Sequence, residues 1–349
     1  MLTTVDKSDA EPLASPPGPP PAPLPSRPPA GASGNRIRIE LWALTAILAV
    51  ITFSAAVLHE PLPFSLFSPD HDAVIAPLPR SLPYGKGMWM WEPERSDWGD
   101  VKAMIARAKD VGLTHIYVRT GSSWDGFYAA PFLNEILPAA HAAGIRIYGW
   151  DFPRLIDPAA DVERALAAIN YVTPTKQRID GFAADIETRS EGTHLSVESA
   201  VAYGDGLRAG VGAAYPLIAC IPRPSDYNKK FYPFWDVVAR FDAIAPMVYW
   251  LNREPDSDTA GALQDLAPLG KPVFPVGQAY DGGPEGGRPG LPTDDELRRF
   301  IWASSFYGGQ GVSFWSWQAA DQREWDTIRD AEWFKKVPDS ARPTPVGRT

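Results

Sequence analysis

The period of the apolar positions changes several times along the chain. Between residues 84 and 336, short runs rich in Val, Ile, Tyr, Phe and Trp alternate with longer segments whose apolar residues recur every three or four positions. The short runs predict strands at 86–91, 115–121, 146–151, 181–187, 217–222, 243–250, 272–280 and 311–318. The longer segments predict helices at 98–111, 131–143, 158–171, 196–214, 234–240, 259–266, 294–307 and 324–335. Pro158 and Asp294 stand where helices begin, and Gly112 and Gly144 stand just past helix ends. Strand and helix alternating eight times predicts an α/β protein, a (β/α)8 TIM barrel. A doubly wound open sheet is the competing architecture, but no G-x-G-x-x-G follows the first strand.

Outside this block the pattern is different. Residues 1–38 are dominated by Pro, Ala, Gly and Ser and have little to bury, so they predict a disordered tail. Residues 39–59 contain a charge-free apolar run from Leu41 to Leu58, near the lower length limit for a membrane-spanning helix. Arg36 and Arg38 precede that run, while Glu60, Asp70 and Asp72 follow it. The positive-inside rule therefore predicts a single-pass signal anchor in the cell membrane, with a cytoplasmic N-terminus and an extracytoplasmic barrel. A cleaved signal peptide is the alternative, with Ser54-Ala55-Ala56 as its cleavage region. Residues 60–83 read as a Pro-rich spacer and residues 337–349 as a second disordered tail.

Composition narrows the function. The net charge of −9 speaks against nucleic-acid binding. One cysteine rules out an internal disulfide, and the five histidines form no H-x-x-x-H pair, so neither a metal nor another cofactor is expected. The 13 Trp residues are consistent with a surface that stacks flat ligands.

In a barrel the active site lies at the C-terminal ends of the strands. Those ends carry Trp91, Arg119, Asp151, Asp185, Glu187, Arg223, Tyr249, Trp250, Gln278, Asp281, Trp315 and Trp317. Rings that stack on the C–H face of a sugar, with carboxylates and amides for its hydroxyls, suit a glycan. The central stretch runs from Asp180 to Glu187, DGFAADIE. Alternation puts Ala183, Asp185 and Glu187 on one strand face, and Phe182, Ala184 and Ile186 on the other. The second set is apolar and belongs under the helices. The first then points into the barrel, with the two carboxylates about 6–7 Å apart at the Cα level. Crowding favours one of them keeping its proton, as a general acid must.

This stretch resembles the D-G-x-D-x-D-x-E signature of the family 18 glycoside hydrolases, with Asp180, Gly181, Asp185 and Glu187 in register. The resemblance implies that Glu187 protonates the glycosidic oxygen. It implies that Asp185 orients a substrate acetamido group, which acts as the nucleophile in a retaining reaction. Met247-Val-Tyr249 is similar to that family's sixth strand, whose Tyr holds the acetamido group, and Gly311–Trp317 is similar to its eighth, whose Trp floors the subsite. Two positions depart from the pattern: Ala183 stands where the family has Asp, and Trp250 stands where it has Asp after the Tyr. The sequence also resembles family 25 lysozymes at 87–91, at Arg119-Thr-Gly and at 142–151, although Met88 replaces their first-strand Asp.

The expectation is a divergent glycoside hydrolase with Glu187, Asp185 and Tyr249 as catalytic residues. Trp91, Asp151, Trp250, Gln278, Asp281, Trp315 and Trp317 are expected to bind substrate, a polysaccharide or oligosaccharide, and the protein is expected to be a monomer. A glycan-binding barrel without activity is the alternative, for which Ala183 is the main support.

Overall fold

A computed structural model describes residues 82–333 of the chain. The expected tails at 1–38 and 337–349, the membrane span at 39–59 and nearly all of the 60–83 spacer lie outside the described residues. Among the described residues no helix is long and apolar enough to cross a membrane.

The chain forms β1 (Gly85–Met90), α1 (Val101–Val111), β2 (His115–Ser122), a short β3 (Gly126–Phe127), α2 (Ala130–Ala142), β4 (Arg146–Phe152), α3 (Pro158–Asn170) and β5 (Gly181–Asp185). It continues with α4 (Val197–Val211), β6 (Leu217–Pro222), α5 (Phe234–Val238), β7 (Ala243–Val248), α6 (Pro255–Leu266), β8 (Val276–Gln278), α7 (Asp294–Phe306), β9 (Gly311–Trp315) and α8 (Gln322–Asp330). All strands but β3 pair in parallel in the order β1-β9-β8-β7-β6-β5-β4-β2, and β1 pairs with β2 to close the barrel. This is the expected (β/α)8 architecture.

Local chemistry sets the element ends. Asp100 caps α1 by accepting from the backbone of Lys102 and Ala103, and Gly112 ends it with φ 71°. Capping boxes start α7 (Thr293 with Glu296) and α8 (Asp321 with Glu324). The seventh barrel strand is much shorter than its apolar run, because Pro272 and Pro275 have no N–H to give the ladder; only an isolated bridge, Ile244 to Val273, forms there. The β5 ladder stops at Asp185, and the β7 ladder stops at Val248, so Glu187 and Tyr249 lie beyond the regular strands at the mouth.

Two apolar clusters follow from strand alternation. One lies between strands and helices and includes Phe182, Ala184 and Ile186. The other fills the barrel with Trp89, Tyr117, Tyr148, Trp150, Ala183, Ile218, Cys220 and Met247. Alternation of β5 therefore points its side chains as expected. Trp89 stacks on Tyr117 at 4.0 Å and 9°. His115 is buried beneath them, edge-on to Tyr117 and Tyr148, and burial pushes its pKa down to about 3, so it is neutral. Gly87 makes room for it, since a Cβ there would stand 2.0 Å from His115 Nε2. At the opposite end from the mouth, Lys86 Nζ donates to the carbonyls of Ile328, Arg329 and Ala331, tying α8 to β1.

Candidate functional site

A cavity of about 700 Å³ opens at the C-terminal ends of the strands, lined by Asp185, Glu187, Cys220, Tyr249 and Trp315, among others. Asp185 ends β5 pointing inward, and Glu187 follows on the same side one step closer to solvent. Ile186 between them donates its N–H to Cys220 and receives the Tyr232 hydroxyl on its carbonyl at 2.7 Å. That buried pair of bonds fixes the backbone from which both carboxylates project.

Neither carboxylate has a cation. Among the described residues no Lys, Arg or His nitrogen lies within ion-pair distance of Asp185 or Glu187, and Asp185 Oδ1 is buried without a hydrogen-bond partner. Burial raises the Asp185 pKa to about 7, against a lowering contribution from the Cys220 thiol in hydrogen-bonding reach. Burial raises Glu187 well above the usual range too, and the neighbouring charges of Asp185 and Glu191 add to it. The pair therefore holds protons near neutrality, and its protons belong to the pair rather than to either residue.

Aromatic rings complete the cavity. Tyr249 stands edge-on to Tyr280, and burial pushes its phenol pKa up, so it is a neutral donor. Trp315 lies in the floor with Trp89 and Trp150 around it. Trp91, 43% exposed, stacks beside Trp315 at 6.2 Å and 22°, extending the apolar surface out of the mouth. Arg119 lies over the rings of Trp91 and Trp150, at 5.7 and 5.5 Å. The structure thus brings together Asp185, Glu187, Tyr249, Trp315 and, at the rim, Trp91.

The other expected substrate contacts lie elsewhere. Asp151 is fully buried and pairs with Arg164 Nε at 2.8 Å; alternation turns it away from Trp150 and the barrel interior, toward α3. Trp250 points outward from Tyr249 and packs on Phe300. Trp317 is buried against Trp325 and donates its indole N–H to Asp97. Gln278 is buried and accepts from the Leu251 backbone, bracing the segment after Tyr249, where Leu251 has φ 56°. Asp281 accepts from the backbones of Gly283 and Gly290, closing the loop after β8 on itself. Asp180 also works away from the mouth, accepting from Ile147 N at the base of the barrel and from His141. Among the described residues no group of three or more His, Cys, Asp or Glu side chains is arranged to hold a metal.

Several lining residues escaped the sequence reading. Cys220 is the register partner of Asp185 and faces the same interior. That register was the available signal. Glu191, Arg253 and Glu285 come from loops, where no period reports direction.

No protein-family model matches the chain, and no curated protein matches it. Solved structures do. An endo-1,4-β-mannanase from Rhizomucor miehei is 13% identical over 67% of this chain and 86% of that one, with a TM-score of 0.53. A chitinase from Chromobacterium violaceum is 13% identical over 71% of this chain and 98% of that one, with a TM-score of 0.50. A class V chitinase from Pseudomonas fluorescens is 12% identical over 71% and 99%, with a TM-score of 0.50. At such identities the likeness is one of fold alone, the (β/α)8 barrel.

Proposed function

We propose that the protein is a glycoside hydrolase that cleaves a glycan containing N-acetylhexosamine. The observation that carries this reading is the pair Asp185 and Glu187, unpaired with any cation and raised in pKa, at the bottom of a cavity floored by Trp315. Glu187 donates its proton to the glycosidic oxygen as the bond from that oxygen to the anomeric carbon breaks. The carbonyl oxygen of the sugar's own acetamido group forms the new bond to the anomeric carbon, with Asp185 holding the acetamido N–H and Tyr249 its oxygen. Water then attacks the anomeric carbon, displacing the acetamido oxygen and giving a proton to Glu187, and the configuration is retained. The departure at Ala183 removes the carboxylate that would share a proton with Asp185. Burial, opposed by the Cys220 thiol, is then left to set its protonation.

The chain's apolar run at 41–58, with arginines before it and acids after it, supports an extracytoplasmic barrel held at the cell membrane by one helix, acting on envelope or environmental glycan. Ala183 also favours a second reading, a barrel that binds glycan at the surface without cleaving it.

The test is incubation of the full chain and its E187Q variant with chitin-type oligosaccharides, peptidoglycan fragments and neutral α- and β-glucans, with products detected by mass. Product from the parent alone is expected, and only from acetamido sugars. Comparable cleavage of a glycan without acetamido groups would sink the substrate-assisted mechanism. Binding by both proteins with no product from either would decide for the surface lectin.

A further inference from the structure

Arg223 and Arg253 line the same cavity on its β6–β7 side, across from the tryptophans of β1 and β9. They share one acid. Arg223 Nη1 donates to Asp258 Oδ1 at 3.1 Å, and Arg253 Nε donates to Asp258 Oδ2 at 2.6 Å. Arg253 Nη2 is taken by the Tyr249 carbonyl, also at 2.6 Å. Among the described residues the other guanidinium donors of Arg223, and Nη1 of Arg253, take no protein partner.

Two guanidinium charges against one carboxylate leave a surplus of one positive charge on this wall. Asp258 sits behind them at 8% exposure, and both arginines border the cavity. Burial, with the repulsion of Arg253 added to it, lowers the Arg223 pKa. An arrangement meant only to hold β6 to α6 needs a single arginine on Asp258. Asp185, Glu187, Glu191 and Glu285 also line the cavity, and the first two hold protons near neutrality. A neutral sugar gains little from an arginine fork, whereas an anionic sugar gains a counter-charge that offsets the acids beside it.

Resting on the glycosidase reading, we propose that Arg223 and Arg253 form a carboxylate-binding subsite, so that the glycan taken by this barrel bears a carboxylated sugar unit. A planar guanidinium fork with free donors matches a carboxylate bidentately. One surplus positive charge matches one negative charge. The β5–β6 register pairs Asp185 with Cys220, three residues before Arg223, and Arg223 and Arg253 line one cavity with Glu187. A carboxylated unit held by the two arginines would share that cavity with the bond whose oxygen Glu187 protonates. A uronic acid and the lactyl ether of a muramic acid unit carry the same group.

The experiment measures equilibrium binding of the full chain, as the E187Q variant so that nothing is consumed, to two probe pairs. One pair is an oligosaccharide containing glucuronic acid and its carboxyl-reduced form. The other is the N-acetylglucosamine–N-acetylmuramic acid disaccharide and chitobiose, which lacks the lactyl group. At least one carboxylated probe is expected to bind tenfold or more tightly than its neutral partner, and whichever pair shows the preference identifies the source of the carboxylate. In R223Q, which leaves Asp258 paired with Arg253, that ratio should fall to near one, and R223K should restore part of it. Circular dichroism checks that R223Q is folded, and R253Q gives an independent second variant. Equal binding within both pairs, or a preference that survives both R223Q and R253Q, overturns the inference. A preference without turnover by the parent would sink the hydrolase reading and leave the subsite standing; turnover of neutral glycans without any preference would do the reverse.

Discussion

Strand register sets Cys220 directly beside Asp185, and its thiol faces the same barrel interior as the carboxyl. A thiol donating to a carboxylate favours the charged form, and here it opposes the burial that raises Asp185 to about 7. Burial above all, with the charges of Asp185 and Glu187 beside it, drives the Cys220 thiol pKa far up, so the sulfur stays protonated and can only donate.

Replacing Cys220 by Ala removes that donor and nothing charged. The Asp185 pKa should rise further, by roughly half a unit to one unit for a lost bond of ~1 kcal/mol. C220S keeps a donor and should stay close to the parent. Titration of Asp185 followed by NMR checks this; an unchanged or lowered value in C220A would show that the thiol does not set the carboxyl.

The buried Asp185 also makes stability depend on pH with a definite sign. Its folded pKa, about 7, is above the ordinary 3.8, so the folded state binds the proton more tightly than the unfolded chain does. Its contribution is most favourable below pH ~4 and is lost as pH rises toward ~7. Asp185→Asn removes the ionisation. The variant should match the parent near pH 4 and exceed it at pH 8 by roughly 1–2 kcal/mol, after allowing for water in the cavity. Urea unfolding of parent and variant at the two pH values reads it, and equal differences at both would refute it.

Strand period made this pair legible before any coordinates. Side chains alternate along β5, so one apolar face determined that Asp185 and Glu187 look inward. The same alternation, applied to Trp150-Asp151 and Tyr249-Trp250, turns Asp151 and Trp250 outward, as the structure has them. Reading strand ends as sets of chemistry-bearing residues, regardless of parity, is what placed them at the mouth. Trp317 misled for another reason: β9 ends at Trp315, and the chain beyond it turns Trp317 onto Trp325. Loops are opaque in the same way. Glu191, Arg253 and Glu285 reach the cavity through turns that no hydrophobic period encodes, while Asp281, the more conspicuous acid, is used up on the amides of its own loop.

Asp151 belongs to a buried cluster in which Arg164 bridges Asp151 and Asp161, at 2.8 and 2.5 Å. Arg164→Met leaves two carboxylates with no cation between them and should cost about 3–5 kcal/mol. Asp151→Asn keeps Arg164 paired with Asp161 and should cost less than half of that. The R164M loss should grow as pH rises, because uncompensated carboxyls hold protons more tightly in the folded state and are penalised once ionised. Urea unfolding between pH 5 and 8 measures both. A loss in R164M that shrinks with rising pH would contradict the buried-cluster account.

The two tryptophans at the end of β9 separate binding from folding. Trp315 lines the cavity, whereas Trp317 is 2% exposed, packed on Trp325 and bonded to Asp97. Trp317→Ala opens a hole in the core beneath α8 and leaves the Asp97 carboxylate with Arg107 alone, so it should cost about 3–5 kcal/mol. Trp315→Ala removes a ring that is partly exposed to the cavity, so its stability loss should be the smaller of the two. Its glycan affinity should fall tenfold or more, because the stacking surface shared with Trp91 is cut in half. Thermal unfolding and equilibrium binding on both variants give the comparison. If Trp317→Ala, while still folded, lost as much affinity as Trp315→Ala, the floor of the site would have to include Trp317 after all, and the division between a ring that touches sugar and one that holds the barrel would be wrong.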